Sequence, residues 1–133
     1  MKRTPAARLL IVDDEPIIGK RLQQVFGKTG IDTAVFTDPI RAMEAMAEER
    51  FSIVITDYRM AEMDGLEVLC RVRQLNPKAK VIMITGYPSQ ELEEAAVLGG
   101  VYEFMAKPFR MDELKETVSR AIKDLREKSE HIV

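Results

Sequence analysis

Leu9-Leu10-Ile11-Val12-Asp13-Asp14-Glu15 sets four consecutive apolar residues directly before three carboxylates. The pattern recurs along the chain. Phe51-Ser52-Ile53-Val54-Ile55-Thr56 ends at Asp57, and Val81-Ile82-Met83-Ile84 ends at Thr85. A shorter run, Phe104-Met105-Ala106, leads into Lys107-Pro108. Strands buried on both faces of a parallel sheet read as unbroken apolar runs, and such sheets bind ligands at the strands' carboxyl ends. Three carboxylates, a hydroxyl and an amine are therefore expected to converge at one edge.

Working outward, helical periodicities fill the intervals between these runs. Pro16 starts a helix carrying Ile17, Ile18, Leu22, Val25 and Phe26, with Gly27 and Gly30 as stops. Ile31 to Phe36 reads as a second, less apolar strand nearer an edge. Asp38 is placed to cap a helix beginning at Pro39, with Ile40, Met43, Met46 and Ala47 as its stripe. After Asp57, a loop from Tyr58 to Asp64 precedes a helix with Gly65, Leu66, Val68, Leu69, Val72 and Leu75, closed by Asn76-Pro77. Ser89 caps a fourth helix through Leu92, Ala95, Ala96 and Leu98, ended by Gly99-Gly100. The last helix starts near Met111-Asp112 and carries Leu114, Val118, Ala121, Ile122 and Leu125. Five βα units with short, right-handed connections require a doubly wound parallel sheet with helices on both faces.

The bulk properties agree with one domain. A chain of 133 residues supports a single core, expected over about residues 7–127 of a domain spanning 1–133, with a frayed tail from Lys128. A net charge of −2 provides no general attraction to nucleic acid or to an anionic membrane. The single cysteine, Cys70, excludes an internal disulfide framework and fits a reducing cytoplasm. Cys70 reads as a small buried helix residue, and the eight methionines as core filler or helix surface. No stretch approaches transmembrane length, and Met1-Lys2-Arg3-Thr4-Pro5 leads into no signal-peptide core. His131, in the tail, is a poor catalyst.

The residues at the strand ends define a chemistry. Clustered carboxylates Asp13, Asp14 and Asp57 repel one another, and a divalent cation with oxygen ligands relieves that repulsion. One carboxylate can then attack a phosphoryl donor and form a mixed anhydride. The metal, an ammonium (Lys107) and a hydroxyl (Thr85) can stabilise charge on the transferring oxygens. Each residue alone has a plainer use: Asp14 as a helix cap, Asp57 in a turn, Thr85 at a strand end, Lys107 on the surface. Four such coincidences at one edge are far less economical than one site. Phe104 is as readily a core residue as a moving part.

LLIVDDE at Leu9–Glu15, IVITD at Ile53–Asp57, MDGLEVL at Met63–Leu69, VIMITG at Val81–Gly86 and FMAKPF at Phe104–Phe109 together resemble the receiver domain of two-component response regulators. The match in order and spacing covers nearly the whole chain. The resemblance implies a flavodoxin-like (βα)5 fold with strand order 2-1-3-4-5. It also implies a phosphoacceptor switch that catalyses only its own phosphorylation and dephosphorylation. Asp57 would accept the phosphoryl group from a sensor histidine kinase or phosphotransfer protein. Asp14 and Asp57 would bind Mg²⁺ (or Mn²⁺) directly, Asp13 through water, and Arg59 by its backbone carbonyl. Lys107, joined to Pro108 by a cis peptide, would contact the phosphoryl oxygens.

Thr85 and Phe104 would form the switch, with Phe104 where relatives often carry tyrosine or histidine. Tyr102 shares the strand face of Phe104 by parity if the chain is extended there. Arg59 and Tyr87 would flank the acyl phosphate and set its lifetime. Met60-Ala61 departs from the family's usual Met-Pro, which lowers backbone stiffness in that loop. The family further implies a protein target or an output domain absent from this chain, engaged through the fourth helix, fifth strand and fifth helix, with homodimerisation through the fourth and fifth helices as one outcome. Nothing after Ala121-Ile122 reads as a DNA-binding or catalytic unit.

Three other readings compete. A Mg²⁺-dependent aspartyl-phosphate phosphatase or transferase uses similar groups, but its nucleophile sits in an Asp-x-Asp element after an early strand, and no cap domain is evident. A degenerate receiver would act as a constitutive protein-binding module. A flavin-binding module lacks support, because no Gly/Ser/Thr-rich loop follows the first strand to cradle a phosphate.

Overall fold

In the computed structural model, which describes residues 7–130 and side chains through residue 127, five strands and five helices alternate. They are β1 (Arg8–Val12), α1 (Pro16–Gly27), β2 (Asp32–Phe36), α2 (Pro39–Glu48), β3 (Ile53–Asp57), α3 (Gly65–Leu75), β4 (Lys80–Thr85), α4 (Gln90–Leu98), β5 (Glu103–Ala106) and α5 (Met111–Glu130). The strands form one parallel sheet in the order β2-β1-β3-β4-β5, the flavodoxin-like topology expected from the sequence.

The unbroken apolar runs are explained by two cores, one on each face. Leu10, Val12, Val54, Val81 and Met83 pack against α2, α3 and α4 through Met43, Met46, Val68, Leu69, Val72, Leu92 and Ala96. Leu9, Ile11, Ile53, Ile55, Ile82 and Ile84 alternate with them and pack against α1 and α5 through Leu22, Phe26, Leu114, Val118 and Ala121. Adjacent strand residues point to opposite faces, so both must be apolar when both faces are covered. β2 is an edge strand, and its residues are only partly buried or exposed, consistent with its weaker apolarity.

Helix termini follow the expected chemistry. The Asp38 side chain accepts from the Ile40 N–H at 2.9 Å, and Ser89 Oγ accepts from the Leu92 N–H at 3.1 Å. Asp64 likewise caps α3, accepting from the Glu67 N–H at 2.9 Å. Gly30 and Gly100 adopt φ of 84° and 90°, a left-handed exit from α1 and α4 that glycine makes without steric cost.

Several apolar residues assigned to buried stripes lie outside them. Ile17 is 83% exposed and Leu98 is 89% exposed. Ala47 is exposed, while Ala42 and Ala45 are buried in α2. Cys70 is exposed because α3 buries Val68, Leu69 and Val72, and residue 70 points away from that stripe. α4 buries only Leu92 and Ala96. α5 continues through Glu130, past the Lys128 boundary expected for the tail. The rest of that tail, His131 included, and the segment Met1-Lys2-Arg3-Thr4-Pro5 lie outside the described residues.

Gly65 has a specific packing reason. A Cβ there would meet the Asp57 carbonyl oxygen at 2.8 Å and the Tyr58 Cα at 2.9 Å, both backbone atoms that cannot rotate away. The Gly65 N–H donates to the Tyr58 carbonyl at 2.8 Å, closing the loop back onto the end of β3. Gly65→Ala should therefore destabilise the fold by about 1–3 kcal/mol in urea titrations. Gly27→Ala, where nothing lies within 4 Å of the added Cβ, should stay within about 0.5 kcal/mol of wild type or stabilise it.

Candidate functional site

Register carries the strand-end residues to one level. Val12 pairs with Thr56, so the next residues, Asp13 and Asp57, stand side by side at the carboxyl ends of β1 and β3. Asp57 pairs with Ile84, which puts Thr85 one step beyond, and Thr85 pairs with Ala106, which puts Lys107 one step beyond that. The backbone holds these ends firmly. The Asp13 N–H donates to the Phe36 carbonyl at 3.1 Å, Tyr58 N–H to Ile84 at 2.9 Å, and Lys107 N–H to Thr85 at 2.7 Å. The Lys107-Pro108 peptide is cis.

Asp13 and Asp57 are 4% and 7% exposed, whereas Asp14 is exposed at the rim. One carboxylate oxygen from each of the three lies within 4.8 Å of the others. Lys107 Nζ is 3.3 Å from Asp57 Oδ1 and 3.9 Å from Asp13 Oδ2. Burial pushes the Asp13 carboxyl up to about 6, with the charge of Asp57 adding to the effect and Lys107 opposing it. Burial also raises Asp57, against the opposing Lys107 ammonium. One ammonium among three close carboxylates leaves excess negative charge in a half-dry site. The all-oxygen donor set fits a hard divalent cation such as Mg²⁺.

Asp14 is not the helix cap that an isolated reading would make it. Glu15 occupies the N-cap of α1 with no side-chain cap bond, and the Glu15 N–H donates instead to Asp13 Oδ1 at 2.9 Å. Among the described residues the Asp14 carboxylate takes no hydrogen bond or ion pair, so its oxygens are uncommitted toward the cluster. With Tyr58, Arg59, Met60, Ala61 and Asp64 it lines an open cleft of about 560 Å³.

Thr85 is 1% exposed, and its Oγ1 accepts from the Tyr87 N–H at 3.1 Å, leaving the hydroxyl hydrogen available to the site. The Arg59 guanidinium lies over the Tyr87 ring, 4.4 Å from its centroid. Phe104 is half-buried against the α2–α3–α4 core. Tyr102 does not share its face: β5 begins at Glu103, so parity does not extend back to residue 102. Tyr102 packs on the α1–α5 side and donates to Asp124 Oδ2 at 2.6 Å. Two contacts of residues already placed near the site were not foreseen from the sequence. The close approach at Gly65 was signalled by the Asp64-Gly65 step after the loop. The Arg59–Tyr87 stack had no signal in either residue's neighbours.

A family model described as the response regulator receiver domain matches residues 9–119. The chain is 34% identical over 116 residues to the response regulator protein PilR of Pseudomonas aeruginosa, covering 87% of this chain and 26% of that protein. It thus spans about a quarter of that relative's length. Sporulation initiation phosphotransferase F of Bacillus subtilis is 33% identical over 114 residues, covering 85% of this chain and 91% of that protein. Among solved structures, a CheY-like response regulator receiver domain protein from Methanospirillum hungatei JF-1 matches with a TM-score of 0.90 at 25% identity, covering 93% of this chain and 99% of that one.

The raised carboxyl of Asp13 makes a stability prediction. Unfolded, it ionises near 3.8; folded, near 6, so its ionisation costs native stability as pH rises through that window and the full cost persists above it. Asp13→Asn keeps an oxygen for the Glu15 N–H and removes the charge. In divalent-free buffer at pH 7.5 it should be more stable than wild type by on the order of 3 kcal/mol. The gain should shrink as pH falls toward 4, and excess Mg²⁺ should narrow it at pH 7.5, both measured by urea unfolding.

Proposed function

The chain belongs to the response regulator receiver domain family, and from that premise we propose that Asp57 is the phosphoacceptor of its switch. The observation that supports this most directly is the buried Asp57 carboxylate paired at 3.3 Å with Lys107 Nζ, beside two further carboxylates. In the reaction, an Asp57 oxygen attacks phosphorus and forms the acyl phosphate. The P–N bond of a donor phosphohistidine breaks, and its electron pair stays on the imidazole nitrogen. Lys107 neutralises the oxygens of the transferring group, and Thr85 donates its free hydroxyl hydrogen to one of them. The carboxylates of Asp13, Asp14 and Asp57 and the Arg59 backbone carbonyl would hold Mg²⁺ or Mn²⁺, which supplies further charge neutralisation there. The chain's own catalysis ends with its phosphorylation and dephosphorylation.

Phosphorylation would draw Thr85 toward the acyl phosphate and let Phe104 repack against the α2–α3–α4 core, changing the surface that a target or an output domain reads. The donor is a sensor histidine kinase or a phosphotransfer protein, in the cytoplasm. Its approach is aided by apolar Ile17, 83% exposed on α1, in a groove shared with Lys107, Pro108 and Phe109. Nothing about the site favours nucleic-acid binding. A phosphatase acting on small molecules is disfavoured because Asp57 ends the third strand, and the adjacent pair Asp13-Asp14 serves as its neighbours. A degenerate module would not retain the full acid–amine–hydroxyl set.

Two measurements test this reading. Incubation with acetyl phosphate and Mg²⁺ should add one phosphoryl mass that disappears without Mg²⁺ and in Asp57→Ala. An adduct persisting in Asp57→Ala would assign the acceptor elsewhere. Arg59 and Tyr87 each follow a site residue by two positions, and their bulk beside the acyl phosphate hinders an attacking water. The double variant Arg59→Ala, Tyr87→Ala should accordingly lose its phosphoryl group several-fold faster in a chase by phosphate release.

A further inference from the structure

The Arg59–Tyr87 pair is an interaction between two segments that both start from the site. Arg59 follows Asp57 by two residues, and Tyr87 follows Thr85 by two residues. The guanidinium lies 4.4 Å from the Tyr87 ring centroid, and the ring itself is 69% exposed. Among the described residues, no ion pair joins Arg59 to Asp13, Asp14 or Asp57, although Asp14 of that cluster lines the same cleft as Arg59. In this state the local charge of the site is already partly met by Lys107, and the guanidinium rests on the aromatic face. The Tyr87 backbone is tied to the site as well, since its N–H donates to Thr85 Oγ1 at 3.1 Å.

We propose that Arg59 and Tyr87 form a cover over the phosphoacceptor that is stacked shut in the resting protein, and that the phosphoryl group opens it by drawing the Arg59 guanidinium off the ring onto its own oxygens. The proposal rests on the reading of Asp57 as the acceptor. Magnitudes favour the transfer. An exposed cation–π contact is weak, whereas a guanidinium paired with phosphoryl oxygens makes short, charge-assisted and often bidentate hydrogen bonds. A group with two alternative partners settles on the stronger when it arrives.

The consequence lies in the loop between β4 and α4. Tyr87 loses its partner as Thr85 turns toward the same oxygens, so both ties holding the loop change together. Two residues later Ser89 caps α4, a helix anchored by only Leu92 and Ala96. A helix with so few buried contacts moves at little cost. The cover thus links occupancy of Asp57 to the start of α4 by a path separate from the Thr85–Phe104 couple.

A double-mutant cycle on the full chain tests this, with beryllofluoride and Mg²⁺ as the phosphoryl mimic and binding followed by fluorine resonance and calorimetry. Tyr87→Leu removes the competing ring without touching the backbone N–H. It should tighten beryllofluoride roughly two- to five-fold, the equivalent of an exposed cation–π contact. In an Arg59→Ala background the same substitution should change nothing, because the guanidinium it competes for is gone. Equal effects of Tyr87→Leu in both backgrounds, or weaker binding in the wild-type background, would overturn the cover while leaving the phosphoacceptor reading intact. Absence of any saturable binding that depends on Asp57 would overturn both. The Arg59 side-chain protons give an independent readout. They should carry an upfield ring-current shift in the free protein and lose it on adding beryllofluoride, and retention of that shift in the bound form would overturn the proposal.

Discussion

The parallel pairing of β1 with β3 is the constraint on which the site depends. Leu9 opposes Ile53 and Val12 opposes Thr56, and that register leaves Asp13 and Asp57 level at the sheet's edge. A slip of β1 by one residue against β3 would turn its side chains over, sending Leu10 and Val12 toward α1 and α5 and Leu9 and Ile11 toward α2 and α3. Both cores are closely filled by side chains of particular shapes, so the slip is costly on both faces at once. The hydrophobic sheet therefore fixes the separation of two charged groups that contribute nothing to its stability. The same argument passes along β4 and β5 to Thr85 and Lys107.

The site runs against the fold's preference. Burying carboxylates is unfavourable, and the raised Asp13 and Asp57 carboxyls record that cost. Lys107 offsets part of it and leaves an excess of negative charge that a divalent cation could neutralise. The incompletely neutralised cluster is held in place by backbone bonds from Asp13, Tyr58 and Lys107 to neighbouring strands. Gly65 contributes to the same rigidity from outside, since only a residue without Cβ lets α3 begin against the Asp57 carbonyl.

Around this rigid centre, α4, Phe104 and Tyr87 are weakly held. α4 buries two residues and exposes Val97 and Leu98 at 62% and 89%. Phe104 is half-buried, and Tyr87 stands in solvent under a guanidinium. A domain built this way can change its α4–β5 surface without disturbing the α1–α5 core, where Tyr102 is pinned to Asp124. The asymmetry between the two faces is what a switch requires: one face supplies a fixed frame and the other supplies a low-cost displacement.

Unbroken apolar runs ending in Asp13-Asp14, Asp57, Thr85 and Lys107 by themselves determined the doubly wound sheet and its chemical edge. The physical reason is that burial on both faces leaves only one kind of strand sequence, and strand direction leaves only one end for a ligand. Helix starts at Asp38 and Ser89 were equally legible, because capping is local. Periodicity fared worse on helix surfaces: Ile17, Ala47, Cys70 and Leu98 fit apolar or small-residue stripes yet face outward. Which arc of a helix meets the sheet depends on its neighbours' packing, and sequence spacing does not encode that. Only the tertiary structure decided that Tyr102 and Phe104 lie on opposite faces, that Gly65 touches the end of β3, and that Arg59 rests on Tyr87. Each of these is settled by register and loop path rather than by any residue's own preference.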